Sequence, residues 1–146
     1  MEAGVAGVEG AIARLRVALA AEPDLQLVVL FGSASVGRAR GSSDLDVAIL
    51  PTNGRDGQAR DFDDLSLQTR LTLAARREVD LVRIDEASTL LKWEIAKAGV
   101  ALLEARPGEM ARFRARATSE YIDFLPSFQH HAEVFRRRLI QQGQSR

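Results

Sequence analysis

Two aspartates and a glycine-serine pair are the residues of this sequence best suited to chemistry. Gly32 and Ser33 follow a short apolar run, and ten residues further on Asp44 and Asp46 are separated by a single leucine. Residues two apart on an extended strand point to the same face, so both carboxylates can approach one cation. Carboxylates held so close repel each other unless a cation lies between them. The spacing therefore predicts a site for a phosphate group and a divalent metal ion.

A third carboxylate, Asp80, interrupts the apolar run of residues 79–82, where a strand interior normally has no use for a charge. Its simplest explanation is a place beside the other two aspartates. Each feature taken alone has a plainer interpretation: a turn for the Gly-Ser pair, a solvated strand face for the aspartate pair, and an ion pair with Arg77 or Arg83 for Asp80. The three together, in this order and each at a strand, favour a functional site.

The elements that must position these residues follow from the hydrophobic spacing. We expect helices over about residues 4–22, 62–77, 85–97 and from 107 onward, and strands over 25–31, 44–50, 79–84 and 100–103. Asp85 is expected to cap the third helix, and Pro126 to interrupt the last. This order predicts a mixed α/β fold, with a small mixed sheet flanked by helices. We expect one domain, with a core over residues 1–106 and a C-terminal helical extension over 107–146.

Composition narrows the functional classes. The chain has 146 residues, no cysteine and two histidines, so disulfides, thiolate metal sites and cysteine nucleophiles are excluded. No run approaches the roughly 18 apolar residues of a membrane span, and the first residues lack the basic region of a secretory signal. We therefore expect a cytoplasmic protein.

Charge is unevenly distributed along the chain. Residues 1–105 carry 12 Lys and Arg against 16 Asp and Glu, a net charge of −4, whereas residues 106–146 carry 8 against 4, a net charge of +4. The basic tail also contains most of the aromatic residues. It is interpreted either as a helix that packs on the acidic body or as part of a partner interface, where arginine and aromatic residues are favoured. Direct nucleic-acid binding is not expected.

The motif set resembles that of the minimal nucleotidyltransferases of the DNA polymerase β superfamily, over roughly residues 5–125. The matching residues are Gly32, Ser33, Asp44, Asp46 and Asp80, with Gly37 and Ser43 in the positions of a common Gly and Ser. One departure is Val36, which stands where the family often has a basic residue before the second glycine. Arg38 or Arg40 would supply that charge, so both are predicted to bind the triphosphate together with Gly32, Ser33 and Ser43.

The resemblance implies a fold, a mechanism and a partner. Asp44 and Asp46 would hold two Mg²⁺ ions, and Asp80 would hold the catalytic one and help activate the attacking hydroxyl. Small bacterial members of similar size act as antitoxins that transfer AMP from ATP to a tyrosine of a HEPN-domain ribonuclease toxin, which implies a hetero-oligomer. Two alternatives stay open: transfer to a small molecule or an RNA 3′ end, and an inactive antitoxin that neutralises its partner by steric binding.

Overall fold

The computed structural model describes residues 2–35, 44–52 and 62–144 of the chain. Helices and strands alternate along most of this part. The helices are α1 Glu2–Ala20, α2 Asp64–Ala75, α3 Thr89–Ala98 and α4 Glu109–Gln144, and the strands are β1 Leu25–Phe31, β2 Leu45–Pro51, β3 Val79–Arg83 and β4 Val100–Glu104. The predicted fold class is confirmed, and the predicted bounds of all four strands agree with the observed ones within one residue.

The four strands form one mixed sheet in the order β3-β2-β1-β4. Strand β2 lies inside the sheet, antiparallel to β1 on one side and parallel to β3 on the other. Strand β4 pairs antiparallel with the outer side of β1. A parallel neighbour of β2 requires a crossover connection, and α2 provides it.

The two faces of the sheet are covered by different helices. On one face, alternate β2 residues Leu45, Val47 and Ile49 are fully buried in a core that includes Leu15 of α1 and Leu71 of α2. Side chains alternate between the two faces along a strand, so every second residue of β2 enters this core. Asp46, Ala48 and Leu50 occupy the opposite face, where Ala48 belongs to a second core formed with α3 and α4. Chemistry on Asp46 is therefore confined to the face that carries α3 and α4.

The third helix begins later than the sequence predicts. Its N-cap is Ser88, whose hydroxyl accepts a hydrogen bond from the Leu91 N–H. The predicted cap, Asp85, lies instead in a short 3₁₀ turn and pairs with Arg83 at 2.7 Å. The prediction of Asp85 as the cap is wrong because its carboxylate already has a cationic partner, and because a serine three residues later fits the capping position.

Helix α4 runs through Pro126 without interruption, so the predicted break is wrong. A proline in a helix removes one backbone hydrogen bond and introduces a clash with the preceding turn. In a helix of 36 residues the remaining hydrogen bonds maintain the structure on both sides. None of the described helices is long and apolar enough to cross a membrane.

The first half of α4 packs on the body of the protein and the second half does not. Phe113 is buried, and Tyr121 stacks on Trp93 of α3 with ring centroids 4.5 Å apart. Arg114 donates hydrogen bonds to the carbonyls of Ala96 and Gly99 and so binds the C-terminal end of α3. Phe135, in contrast, is 64% exposed. The packing interpretation of the tail thus holds for its first half.

Candidate active site

The structure brings Asp46 and Asp80 together on neighbouring strands. They are register partners in the parallel pair of β2 and β3, so both side chains leave the same face of the sheet. Asp44 lies two residues before Asp46, immediately before β2 begins, and is exposed. The aspartate pair and Asp80, 34 residues beyond Asp46 in the sequence, therefore lie at one edge of one sheet face.

The charges of Asp44 and Asp80 act on Asp46. Partial burial raises the pKa of Asp46 above its ordinary value, and the negative charges of Asp80 and then Asp44 raise it further. An elevated pKa means that the ionised form of Asp46 is disfavoured where it stands. A cation placed beside it would relieve both the repulsion and the loss of hydration.

Of the two arginines considered as ion-pair partners of Asp80, Arg77 and Arg83, Arg83 has other carboxylate partners. Arg83 pairs with Asp85 at 2.7 Å and approaches Asp64 at 3.7 Å. Residues 80 and 83 are three apart on an extended segment, so their side chains leave opposite faces of the sheet. Asp80 is exposed on the face that it shares with Asp46.

Gly32 lies directly against the carboxylate of Asp46. The preceding residue, Phe31, is the antiparallel register partner of Asp46, so the end of β1 delivers the glycine to this place. Gly32 has a φ of +73°, which residues other than glycine rarely adopt. A Cβ added at this position would overlap Asp46 Oδ2. The glycine is thus required both by the turn and by the close approach of its backbone to the acids.

A short 3₁₀ turn, Gly32–Ala34, follows β1 and carries Ser33. The Ser35 hydroxyl donates a hydrogen bond of 2.8 Å to the Gly32 carbonyl and fixes this turn. Ser35 is absent from the predicted site, although its hydroxyl contacts the backbone of Gly32. The only signal in the sequence was its position two residues after Ser33.

Three of the predicted phosphate-binding residues lie outside the described part of the chain. They are Arg38, Arg40 and Ser43, and Gly37 and Val36 of the motif lie outside it as well. Their predicted contribution to triphosphate binding stays a prediction from the sequence.

The chemistry of the acidic site fits a magnesium ion. Its side chains offer oxygen donors and concentrated negative charge, which are what Mg²⁺ prefers. Within residues 2–35, 44–52 and 62–144, however, no three Asp, Glu, His or Cys side chains are arranged so that they could hold a metal ion as they stand. The fit therefore rests on donor type and charge, and on the in-register pair of Asp46 and Asp80.

The fold and the acidic edge define a class of protein. Residues 14–107 match the family described as Polymerase beta, Nucleotidyltransferase, and the chain belongs to that family. The matched segment contains all four strands and the whole of the candidate site.

Two kinds of relatives extend this assignment. The chain is 39% identical over 77 residues to protein adenylyltransferase MntA of Shewanella oneidensis, which covers 53% of this chain and 52% of that protein. The match thus spans about half the length of this relative. A crystal structure of a toxin-antitoxin with AMP-PNP contains a chain that is 27% identical and superposes with a TM-score of 0.70, covering 85% of this chain and 97% of that one.

A second solved structure is similar to the chain over most of its length. It is the complex of a tri-AMPylated Shewanella oneidensis HEPN toxin with an MNT antitoxin, and the matching chain in it is 26% identical, with a TM-score of 0.61. The alignment covers 88% of this chain and 95% of that one. Similarity at this level extends beyond the family segment into α4.

Proposed function

We propose that this protein is an antitoxin-type adenylyltransferase, which transfers AMP from ATP to a tyrosine hydroxyl of a HEPN-domain toxin and so neutralises it. The observation that carries the proposal is the register pairing of Asp46 with Asp80 beside the close-approach glycine, Gly32. Support also comes from the adenylyltransferase and toxin-antitoxin relatives.

The residues of this chain have separate tasks in the proposed reaction. Asp44 and Asp46 bind the cations that accompany the triphosphate, and Ser33 with the adjoining turn binds phosphate oxygens. Asp80 accepts the proton of the tyrosine hydroxyl while the tyrosine oxygen forms a bond to the α-phosphorus. The bond from the α-phosphorus to the bridging oxygen of the β-phosphate breaks, and pyrophosphate leaves with that bonding pair.

Magnesium, when bound by Asp44, Asp46 and Asp80, would neutralise the charge that develops on the phosphoryl oxygens. We propose two such ions, as the resemblance implies. Gly32 contributes space rather than a functional group, because its missing side chain lets the phosphate-binding turn lie against the carboxylate of Asp46.

Asp44 and Asp80 are exposed, so a folded partner can present its own hydroxyl to the acidic edge. We therefore propose a hetero-oligomer with the toxin as the working form. We place it in the cytoplasm, where ATP and the toxin's RNA substrate are available together.

The test is a transfer assay with ATP labelled at the α-phosphate, Mg²⁺ and the protein encoded by the adjacent gene. Label on the partner protein that survives denaturation, and that is lost when its acceptor tyrosine is changed to phenylalanine, is the expected result. Label on an RNA or a small molecule instead would show that the acceptor is not a protein tyrosine. Neutralisation of the partner with no label transferred would indicate steric inhibition.

A further inference from the structure

Beside the first turns of α4 lies a cavity of about 520 Å³ whose wall is strongly basic. Three arginines line it: Arg106, from the segment before α4, and Arg112 and Arg116 of α4. Gln26 at the start of β1 and Thr52 after β2 line the other side. The cavity has the size of a site for a small organic ligand.

A second cavity of about 300 Å³ adjoins the first, since Gln26 and Arg116 line both. Its walls include the apolar side chains of Leu50, Ile84 and Ala117. The two cavities together have a charged end and a partly apolar end, and Arg116 lies between them.

The acidic residues that line these cavities already have cationic or polar partners. Glu109, which is 5% exposed, accepts a hydrogen bond of 2.8 Å from Gln26 Nε2 and pairs with Arg112 at 3.0 Å. The hydrogen bond from Gln26 and the contact with Arg112 hold the pKa of Glu109 below its usual value. Glu109 is therefore ionised and neutralised by its neighbours.

The same holds for the acids of the smaller cavity. Asp85 pairs with Arg83 at 2.7 Å, and Glu120 pairs with Lys92 at 3.4 Å. Arg106 and Arg116 differ from these cations, because neither forms an ion pair with any carboxylate of the described residues. The charge of Arg106 helps lower the pKa of Glu109, but that carboxylate is shared with Gln26 and Arg112, so three guanidinium groups at the larger cavity face one carboxylate.

The larger cavity lies away from the acidic site, whereas the smaller one begins at Leu50, four residues beyond Asp46 on the same strand face and roughly 13 Å along the strand. Thr52 is six residues beyond Asp46 on the same chain segment, a separation of roughly 20 Å for an extended strand. One triphosphate group therefore cannot contact Asp46 and Arg106 at the same time. The two regions also differ in sign of charge, so the acidic site needs cations to bind a phosphate group whereas arginines contact one directly.

We propose that the two cavities form a second nucleotide-binding site, separate from the acidic site. Arg106 and Arg116 bind the phosphates through charge-assisted hydrogen bonds, for which the planar guanidinium group is well shaped. The apolar wall of the smaller cavity contacts the nucleoside. No metal ion is required, because the arginines themselves supply the positive charge. This site is independent of the proposed transfer reaction.

The test is calorimetric titration of the full chain with ATP in a buffer that contains EDTA. Chelation of divalent cations leaves the acidic site repelling ATP, so binding there does not interfere. We expect one ATP bound per chain, and a loss of affinity of about tenfold or more in the double variant Arg106→Gln with Arg116→Gln. Inorganic tripolyphosphate should bind more weakly than ATP, because it leaves the apolar wall without contacts.

The matched control is Arg136→Gln with Arg138→Gln, which removes the same charge from the exposed end of α4 and should leave the affinity unchanged. Thermal melting of both double variants checks that they are folded. Absence of ATP binding in EDTA, or an equal loss of affinity in both double variants, would overturn the proposed site. Equal affinities for tripolyphosphate and ATP would overturn the nucleoside contact. Because no transfer is measured, the outcome does not depend on the proposed reaction.

Discussion

Two carboxylates at different ends of the sheet have opposite environments. Burial together with Asp80 and Asp44 raises the pKa of Asp46. Glu109 is more deeply buried, yet a hydrogen bond from Gln26, with Arg112 beside it, lowers its pKa. The protein neutralises Glu109 with its own side chains, whereas within residues 2–35, 44–52 and 62–144 no cationic side chain pairs with Asp46. The opposite pKa shifts thus distinguish a carboxylate that stabilises the fold, Glu109, from one suited to binding a cation, Asp46.

The largest expected effect is on transfer by the variant Asp46→Asn. Removing this charge should lower the rate of labelled AMP transfer by about 10²–10³-fold, because the cations that stabilise the transition state lose a ligand. The control is Glu133→Gln, which removes an exposed carboxylate paired with Arg137 on α4 and should keep the wild-type rate. Equal rates in Asp46→Asn and the control would contradict the assignment of the site.

Alanine substitution of two glycines, one near Asp46 and one near Glu109, compares their effects on stability and on the transfer rate. Gly32 and Gly108 both have positive φ angles, so alanine at either should lower the free energy of unfolding by about 1–2 kcal/mol in chemical denaturation. Only Gly32→Ala displaces Asp46, so only it should also lower the transfer rate, by roughly tenfold. At Gly108 an added Cβ meets only the end of the flexible Arg112 side chain. Equal transfer rates in the two variants would remove the proposed role of Gly32.

Truncation of Glu109 should destabilise the fold. Glu109→Ala removes the acceptor of Gln26 and the partner of Arg112, and the free energy of unfolding should fall by about 1–3 kcal/mol in urea denaturation. Glu133→Ala, at an exposed pair on the same helix, should change it by less than about 0.5 kcal/mol. If both variants were equally stable, Glu109 would not have the structural role inferred here.

The smallest effect is a pH dependence of opposite sign for the two carboxylates. The folded-state pKa of Asp46 is raised, so ionisation destabilises the fold above that pKa, and Asp46→Asn should raise the melting temperature at neutral pH. This advantage should disappear as the pH falls below the ordinary value of 3.8. The folded-state pKa of Glu109 is lowered, so its stabilisation is present above the ordinary value of 4.5 and is lost in acid.

Melting curves of Asp46→Asn, Glu109→Gln and the wild type between pH 3 and pH 7 would measure both effects. A melting temperature of Asp46→Asn below that of the wild type at neutral pH would contradict the inferred repulsion among the three aspartates.

Much of the fold could be predicted because its strands carry strong local signals. The apolar run from Leu25 to Phe31 and the alternation in β2 are each explained by burial on the sheet. The boundary of α3 could not be predicted from Asp85 alone, because the choice between Asp85 and Ser88 depends on the ion pair with Arg83. That contact joins residues only two apart, but capping preferences alone do not show that Asp85 takes Arg83 as its partner.

The acidic residues of the candidate site could be predicted from the sequence, but the strand pairing that brings them together could not. Asp44, Asp46 and Asp80 are charged residues at strands, and their spacing is visible in the sequence. The register that places Asp46 opposite Asp80 depends on the parallel pairing of β2 with β3, which no local spacing encodes. The cavities near α4 also went unpredicted, since their walls come from five separate elements: β1, β2, the 3₁₀ turn after β3, α3 and α4.

The most direct test of the central claim is a crystal structure of the wild-type chain with Mg²⁺ and a non-hydrolysable ATP analogue. We predict that carboxylate oxygens of Asp46 and Asp80 both lie about 2.1 Å from one magnesium ion, with the triphosphate against Gly32 and Ser33. A magnesium-nucleotide complex bound elsewhere on the chain, with Asp80 coordinating no ion, would contradict the account.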